Sequence, residues 1–190
     1  MKKILILLMT IVIVMAFAAC ETQNGEGQTR SAVILTVDSI VMQSGAGALA
    51  EVSSTGGITA QSDVANVALS NRPKNIDLQP SPWLGIQLEE YQVTFYRTDG
   101  GTAVPNSVKR TIRYTIELNE TYEIAALTIL SAEQKVEYPL WDLAINGYDI
   151  ETGMPVIEVN VLVEFFGKQV SGEPVYAQGW TSITWGVEVE

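Results

Sequence analysis

The chain has 190 residues, with 22 acidic side chains against 11 basic ones, a formal net charge of −11, no histidine and one cysteine. A surface this acidic repels phosphate backbones and anionic headgroups, which removes nucleic acid from the partners and leaves no basic patch to hold the chain on a membrane. Without histidine and with a lone cysteine, the usual Ser-His-Asp and Cys-His nucleophiles, the common zinc sets, haem attachment through Cys-x-x-Cys-His and internal disulfides are all excluded, so any catalysis would fall to carboxylates, Lys, Tyr or a hard metal.

The first element is N-terminal. Lys2 and Lys3 precede an apolar run from Ile4 to Val14, broken only by Thr10, and Phe17-Ala18-Ala19-Cys20 follows. Positive charge, a short apolar stretch and small residues at a cleavage point make a secretory signal. From Ile4 to Ala19 the stretch has 16 residues, short of the roughly 20 that a transmembrane helix needs. The segment resembles a bacterial lipoprotein signal peptide, with Phe17 where Leu is usual. The resemblance implies removal of residues 1–19 and lipidation of Cys20, whose acyl chains would anchor the protein at about 0.8 kcal/mol per buried CH₂. Position 21 is Glu rather than the Asp that marks inner-membrane retention, which favours the outer membrane or cell surface. Cys20 and the polar run Glu21–Ser31 then form a lipidated, flexible tether of residues 20–31, and eleven extended residues reach roughly 35–40 Å.

From Ala32 onward, period-two alternation of Val, Ile, Thr and aromatic residues is the strand signal, and it continues through a domain spanning residues 32–190. Seven strands are expected: Ala32–Met42, Asp63–Ser70, Ile86–Thr98, Val108–Leu118, Tyr122–Leu130, Pro155–Lys168 and Val175–Val189. In the second, Ala65, Val67 and Leu69 oppose Val64, Asn66 and Ala68. The third sets Leu88, Glu90, Gln92, Thr94 and Tyr96 against Tyr91, Val93, Phe95 and Arg97. The fourth turns Ile112, Tyr114, Ile116 and Leu118 inward. In the sixth, Ile157, Val159, Val161, Val163 and Phe165 share one face. The last places Ile183, Trp185, Val187 and Val189 in phase, with a bulge expected near Gly179-Trp180 because Trp180 falls out of phase. Gln43–Gln61 reads as a surface loop or an extra hairpin, and Pro139–Leu143 as one helical turn within Glu137–Met154. No amphipathic helix of ten or more residues is expected after the signal.

Seven short strands without long helices imply an all-β fold, a seven-stranded antiparallel immunoglobulin-like β-sandwich following the signal and tether. Asn71-Arg72-Pro73-Lys74-Asn75, the run Tyr91 to Gly100, and Phe165-Phe166-Gly167-Lys168 with Ser171-Gly172-Glu173 resemble uncharacterised bacterial lipoproteins carrying an immunoglobulin-like domain. The missing cysteine pair puts the likeness in the disulfide-free, fibronectin-III-like branch. That resemblance implies an architecture and no activity.

Four tryptophans, Trp83, Trp141, Trp180 and Trp185, offer flat faces for stacking sugars. Trp83 and Trp141 stand out because both fall in expected loops; the alternative is that they cap the open ends of the core. Asp142, Asn146, Asp149 and Glu151 supply the oxygen ligands that Ca²⁺ prefers, without the spacing of a D-x-D-x-D-G loop, and can equally form a solvated turn. Glu89-Glu90 and Glu117, Glu120 and Glu123 invite a glycosidase reading. Adjacent residues of a regular strand face opposite ways, so Glu89 and Glu90 should not form a catalytic pair. Lys109, Arg110 and Arg113 can blunt a strand edge or meet an acidic partner. The expected function is a lipid-anchored, non-enzymatic envelope protein that contacts other proteins through loops at one end of the sandwich or an exposed edge strand. The alternative is a carbohydrate-binding module. No cofactor is expected, and the partners are the membrane through the lipid, an envelope or surface protein, or a glycan.

Overall fold

The computed structural model describes residues 30–52 and 57–186. The expected signal, Cys20 and most of the tether lie outside the described residues, as do Val187 and Val189. In chain order the elements are β1 (Val33–Met42), β2 (Glu51–Val52), β3 (Ile58–Thr59), β4 (Asp63–Pro73), a 3₁₀ turn (Pro82–Leu84), β5 (Ile86–Arg97), β6 (Val108–Ile116), β7 (Thr121–Leu130), α1 (Ala132–Lys135), α2 (Leu140–Asn146), β8 (Val156–Gln169) and β9 (Pro174–Gly186). No helix among the described residues is long and apolar enough to cross a membrane.

The strands make a three-stranded sheet in the order β1-β4-β7 and a four-stranded sheet in the order β6-β5-β8-β9, with β2-β3 as a separate hairpin. All pairings within these sheets are antiparallel. Residues 43–61 thus hold a short hairpin, whose strand residues are exposed. Alternation sends one face of each sheet inward, and Leu35, Val67, Leu69, Ile86, Val93, Val161, Phe165 and Trp185 meet in one core. The inward row of β8, Ile157 to Phe165, is buried as its alternation requires.

Two expectations about strand regularity are corrected. β9 pairs with β8 without a register shift from Val156↔Gly186 to Lys168↔Pro174, so there is no bulge at Gly179-Trp180. Trp180 is simply an outward residue of an unbroken strand, and the inward place beside it belongs to Gly179. An ideal Cβ at Gly179 would sit 2.7 Å from Val37 Cγ1 and 2.8 Å from Ile40 Cδ1. The small residue lets β1 close over β9.

The irregularity falls instead in β5, where the register shifts between Leu88 and Glu90 against both neighbours. Leu88 therefore joins Tyr91, Val93 and Phe95 in the core instead of opposing them. Glu89 and Glu90 both lie on the solvent side, contrary to the regular-strand expectation, and each is held by its own lysine: Glu89 by Lys168 at 2.9 Å, and Glu90 by Lys109. Gly167 sits opposite this bulge, where a Cβ would lie 2.4 Å from the Gln87 carbonyl oxygen.

Two short helices stand between β7 and β8: α1 precedes the stretch Glu137–Met154 expected to hold one turn, and α2 lies within it. α1 starts at a capping box: Ser131 Oγ accepts from the Gln134 amide and Gln134 Oε1 accepts from the Ser131 amide. α2 extends the turn expected at Pro139–Leu143 to Asn146, buries Leu140 and Leu143, and ends at Gly147 with φ +75°, whose N–H bonds the Leu143 carbonyl.

Candidate functional site

The two ends of the sheets are built differently. At one end β4 finishes beside the start of β1, with Val33 opposite Pro73. Here Ser31 Oγ and the Ala32 amide donate to Gln169 Oε1 at 2.9 and 3.0 Å, while Gln169 Nε2 donates to the Trp83 carbonyl and Ser171 Oγ. Asn71 Nδ2 ties the Leu84 and Ile116 carbonyls together at 2.9 and 3.0 Å. The chain preceding Ser31 therefore joins the fold at this end.

The far end lies a full strand away, about 35 Å along the eleven residues of β4. Asp63 opens β4 there, opposite Leu130 at the close of β7. Its carboxylate accepts Lys135 Nζ at 2.7 Å and the Gly47 amide at 2.9 Å through Oδ1, and Trp185 Nε1 at 2.8 Å through Oδ2. Lys135 Nζ also donates to the Ala48 carbonyl. Lys135, Asp63 and Trp185 are all fully buried. A buried charge is tolerated when it is paired and hydrogen-bonded, and this cluster ties β4, β9, α1 and the segment before β2 into one frame.

A second frame stands beside it. The Arg97 guanidinium at the end of β5 grips Asp99 through Nε at 2.7 Å and Nη2 at 2.8 Å, and Nη2 reaches Asp149 Oδ2 at 2.8 Å. Glu151 accepts the Thr102 and Ala103 amides at 2.6 and 2.9 Å and the Thr102 hydroxyl at 2.8 Å. The hydrogen bonds from Arg97 hold the Asp99 carboxyl down at about 2, against the opposing effect of burial and with help from the Glu158 and Gly101 amides. Burial disfavours the charged form of Asp149, but the bonds from Arg97 and Thr152 outweigh it and keep its carboxyl below the usual range. Amides of Ala103 and Thr102 lower that of Glu151.

These bonds engage two of the four residues expected to offer calcium ligands. Asp149 and Glu151 spend their oxygens on Arg97, Thr102, Ala103 and Thr152, and no group of three or more metal-capable residues forms among the described residues. Asp142 and Asn146 stay on α2, apart from that network. The cation that Asp149 and Glu151 serve is the protein's own Arg97.

With Leu140, Leu143 and Asp149 turned inward, the alternate residues of the same segment turn outward. Val136, Tyr138, Ile145, Tyr148, Ile150 and Met154 are exposed, several by half or more. Large apolar side chains are thus exposed along residues 136–154, the segment joining β7 to β8 at the end remote from Ser31, on backbone pinned by the Lys135 and Arg97 clusters.

The sequence-selected tryptophans separate. Trp83 is exposed beside Gln169 and Ser171 at the Ser31 end, while Trp141 is half-buried on α2 at the far end. They cannot share one ligand. Trp185 is buried on Asp63. Beside the less exposed pairs Tyr114 with Tyr122 and Phe166 with Tyr176, Tyr96 and Trp180, both about half exposed, form a surface pair with ring centroids 5.5 Å apart. Alternation in β5 and β9 was the signal for that pair, since both residues fall on the outward phase. Lys109, Arg110 and Arg113 lie on β6, an edge strand, where charge blunts pairing with another chain. Comparison with known proteins finds no matching family model, no matching curated protein and no matching solved structure.

Proposed function

We propose that this chain is a lipid-anchored, non-enzymatic protein of the cell envelope, displayed on the outer membrane or cell surface, whose immunoglobulin-like domain holds a partner protein at the end remote from its tether. The single observation that carries the reading is the opposition of the two ends. Ser31 joins the fold beside Gln169, at an end whose exposed large apolar residues are Ile76 and Trp83, whereas six, Val136, Tyr138, Ile145, Tyr148, Ile150 and Met154, are exposed beyond the opposite ends of the strands. Six large apolar side chains exposed within one nineteen-residue segment on a rigid support are the kind of surface that protein contacts use. Their position away from the tether fits contact with a partner rather than with the anchoring bilayer.

Strand order supports the immunoglobulin-like assignment. Taken in chain order, the seven longer strands distribute as first, second and fifth in one sheet and third, fourth, sixth and seventh in the other. A constant-type immunoglobulin sandwich differs only in carrying its fourth strand at the edge of the first sheet. Here that strand is β6, paired with β5. Of the four edge strands of the two larger sheets, β6 is charged and β1 and β9 approach each other through Gly179, which leaves β7 as the edge open to pairing.

The anchor is tested by growing cells on radiolabelled palmitate. Wild-type protein should take up label and sediment with membranes, and Cys20→Ser should do neither. An unchanged membrane fraction for Cys20→Ser would refute the anchor.

A further inference from the structure

The outer face of the four-stranded sheet presents a second surface, separate from the apolar end. Trp180 on β9 and Tyr96 on β5 are 54% and 47% exposed, and their rings meet at 5.5 Å with planes inclined at 46°. Between them runs β8, which sets Leu162 level with Thr94 and Trp180, and Asn160 level with Tyr96 and Ser182. Leu162, in register with Trp180, is nearly buried, yet Trp180 and Tyr96 each remain about half exposed. Covering one leucine does not account for two large aromatic side chains held on the solvent side of a regular, bulge-free stretch of sheet.

The residues in register with the two rings are uncharged. Of the carboxylates on this face, Glu89 is paired with Lys168, Glu90 with Lys109 and Glu164 accepts the Tyr176 hydroxyl at 2.7 Å, while Glu158 is exposed two residues before Asn160 on β8. What borders the rings is Thr94, Asn160, Ser182 and Gln178, all hydroxyl or amide groups. Flat apolar faces flanked by neutral donors and acceptors complement a pyranose ring, which offers C–H groups on one face and hydroxyls around its rim. The chain's net charge of −11 disfavours uronate or sialylated sugars. We infer that Tyr96 and Trp180 form a binding platform for a neutral glycan, with Thr94, Asn160, Ser182 and Gln178 meeting its hydroxyls.

The test uses full-length protein in detergent, titrated with xylohexaose, cellohexaose and chitohexaose and, as the acidic counterpart, polygalacturonate, read by calorimetry and tryptophan fluorescence. At least one neutral hexasaccharide should bind, weakened about tenfold in Trp180→Ala and several-fold in Asn160→Ala. Asn160→Ala leaves Leu162 covered and so keeps the test valid if Trp180→Ala unfolds. Trp83→Ala, at the Ser31 end, and Ile150→Asp, at the apolar end, should bind as wild type. Absence of binding by all three neutral sugars, binding that survives Asn160→Ala and Trp180→Ala alike, or preference for polygalacturonate would overturn the inference. So would a benzoylphenylalanine photo-crosslinker in place of Gln178 that captures only protein. None of these results bears on the apolar end, whose partner is assayed separately.

Discussion

Lys135 and Asp63 meet at 2.7 Å with neither side chain exposed to solvent. The ammonium stands in the core only because the carboxylate and the Ala48 carbonyl receive it, and the carboxylate is further bound by Gly47 and Trp185. One pair thus decides where α1 sits, and with it where the exposed residues of 136–154 begin.

Lys135→Met keeps an apolar stem and removes the charge, leaving Asp63 buried with too few donors. Breaking one partner of such a pair costs about 3–5 kcal/mol, and urea denaturation should report a loss in that range. Adding Asp63→Asn to Lys135→Met should recover part of it, because the stranded charge is removed while the acceptor for Trp185 is kept. A loss below about 1 kcal/mol would mean that the pair does not support the fold.

Asp99 makes the far end sensitive to acid. Its carboxyl sits at about 2 in the folded chain against 3.8 ordinarily. A depressed carboxyl stabilises the fold above its unfolded value, and that contribution is lost as pH falls from about 4 through 2, so its full worth of about 2 kcal/mol is present at neutral pH. Thermal melts should therefore show wild type more stable than Asp99→Asn at pH 6, with the gap closing toward pH 2. A gap independent of pH would contradict the assigned role of the Arg97 bonds.

Gly167 and Gly179 separate backbone crowding from side-chain crowding. A Cβ at Gly167 meets the Gln87 carbonyl at 2.4 Å, whereas one at Gly179 meets only the tips and branches of Val37 and Ile40. Overpacking costs about 1–3 kcal/mol, and side chains yield more readily than a hydrogen-bonded backbone. Gly167→Ala should destabilise more than Gly179→Ala in chemical denaturation; the reverse order would show that the bulge at Glu89 absorbs the added methyl.

Legibility in the sequence followed the range of the interactions. Ile157 to Phe165 announced β8 because five large residues share a phase. Gly179 hid the phase of β9, since an inward glycine carries no apolar signal, and Trp180 was therefore read as a displaced inward residue. Leu88 and Tyr91 three positions apart recorded the bulge between them, but the pattern was read as regular alternation. Ser131-x-x-Gln134 spelled the α1 cap locally. Arg97 and Asp149 are far apart in sequence, as are Asp63 and Lys135, and local pattern holds no record of such partners. Hence the carboxylates at 149 and 151 resembled vacant metal ligands. Trp83 and Trp141 were chosen for lying in loops, whereas the exposed aromatic pair stands on strands, where outward phase alone marks it.

The most direct measurement places a benzoylphenylalanine photo-crosslinker at Ile150, or at Asn75 beside the Ser31 end, in the full chain within the cells that make it. Both positions are exposed, and they lie at opposite ends of the sheets. Irradiation at Ile150 is expected to give a protein adduct of discrete mass that Tyr148→Asp abolishes, with none from Asn75. Silence at Ile150, or the same adduct from Asn75, would contradict a partner held at the end remote from the tether.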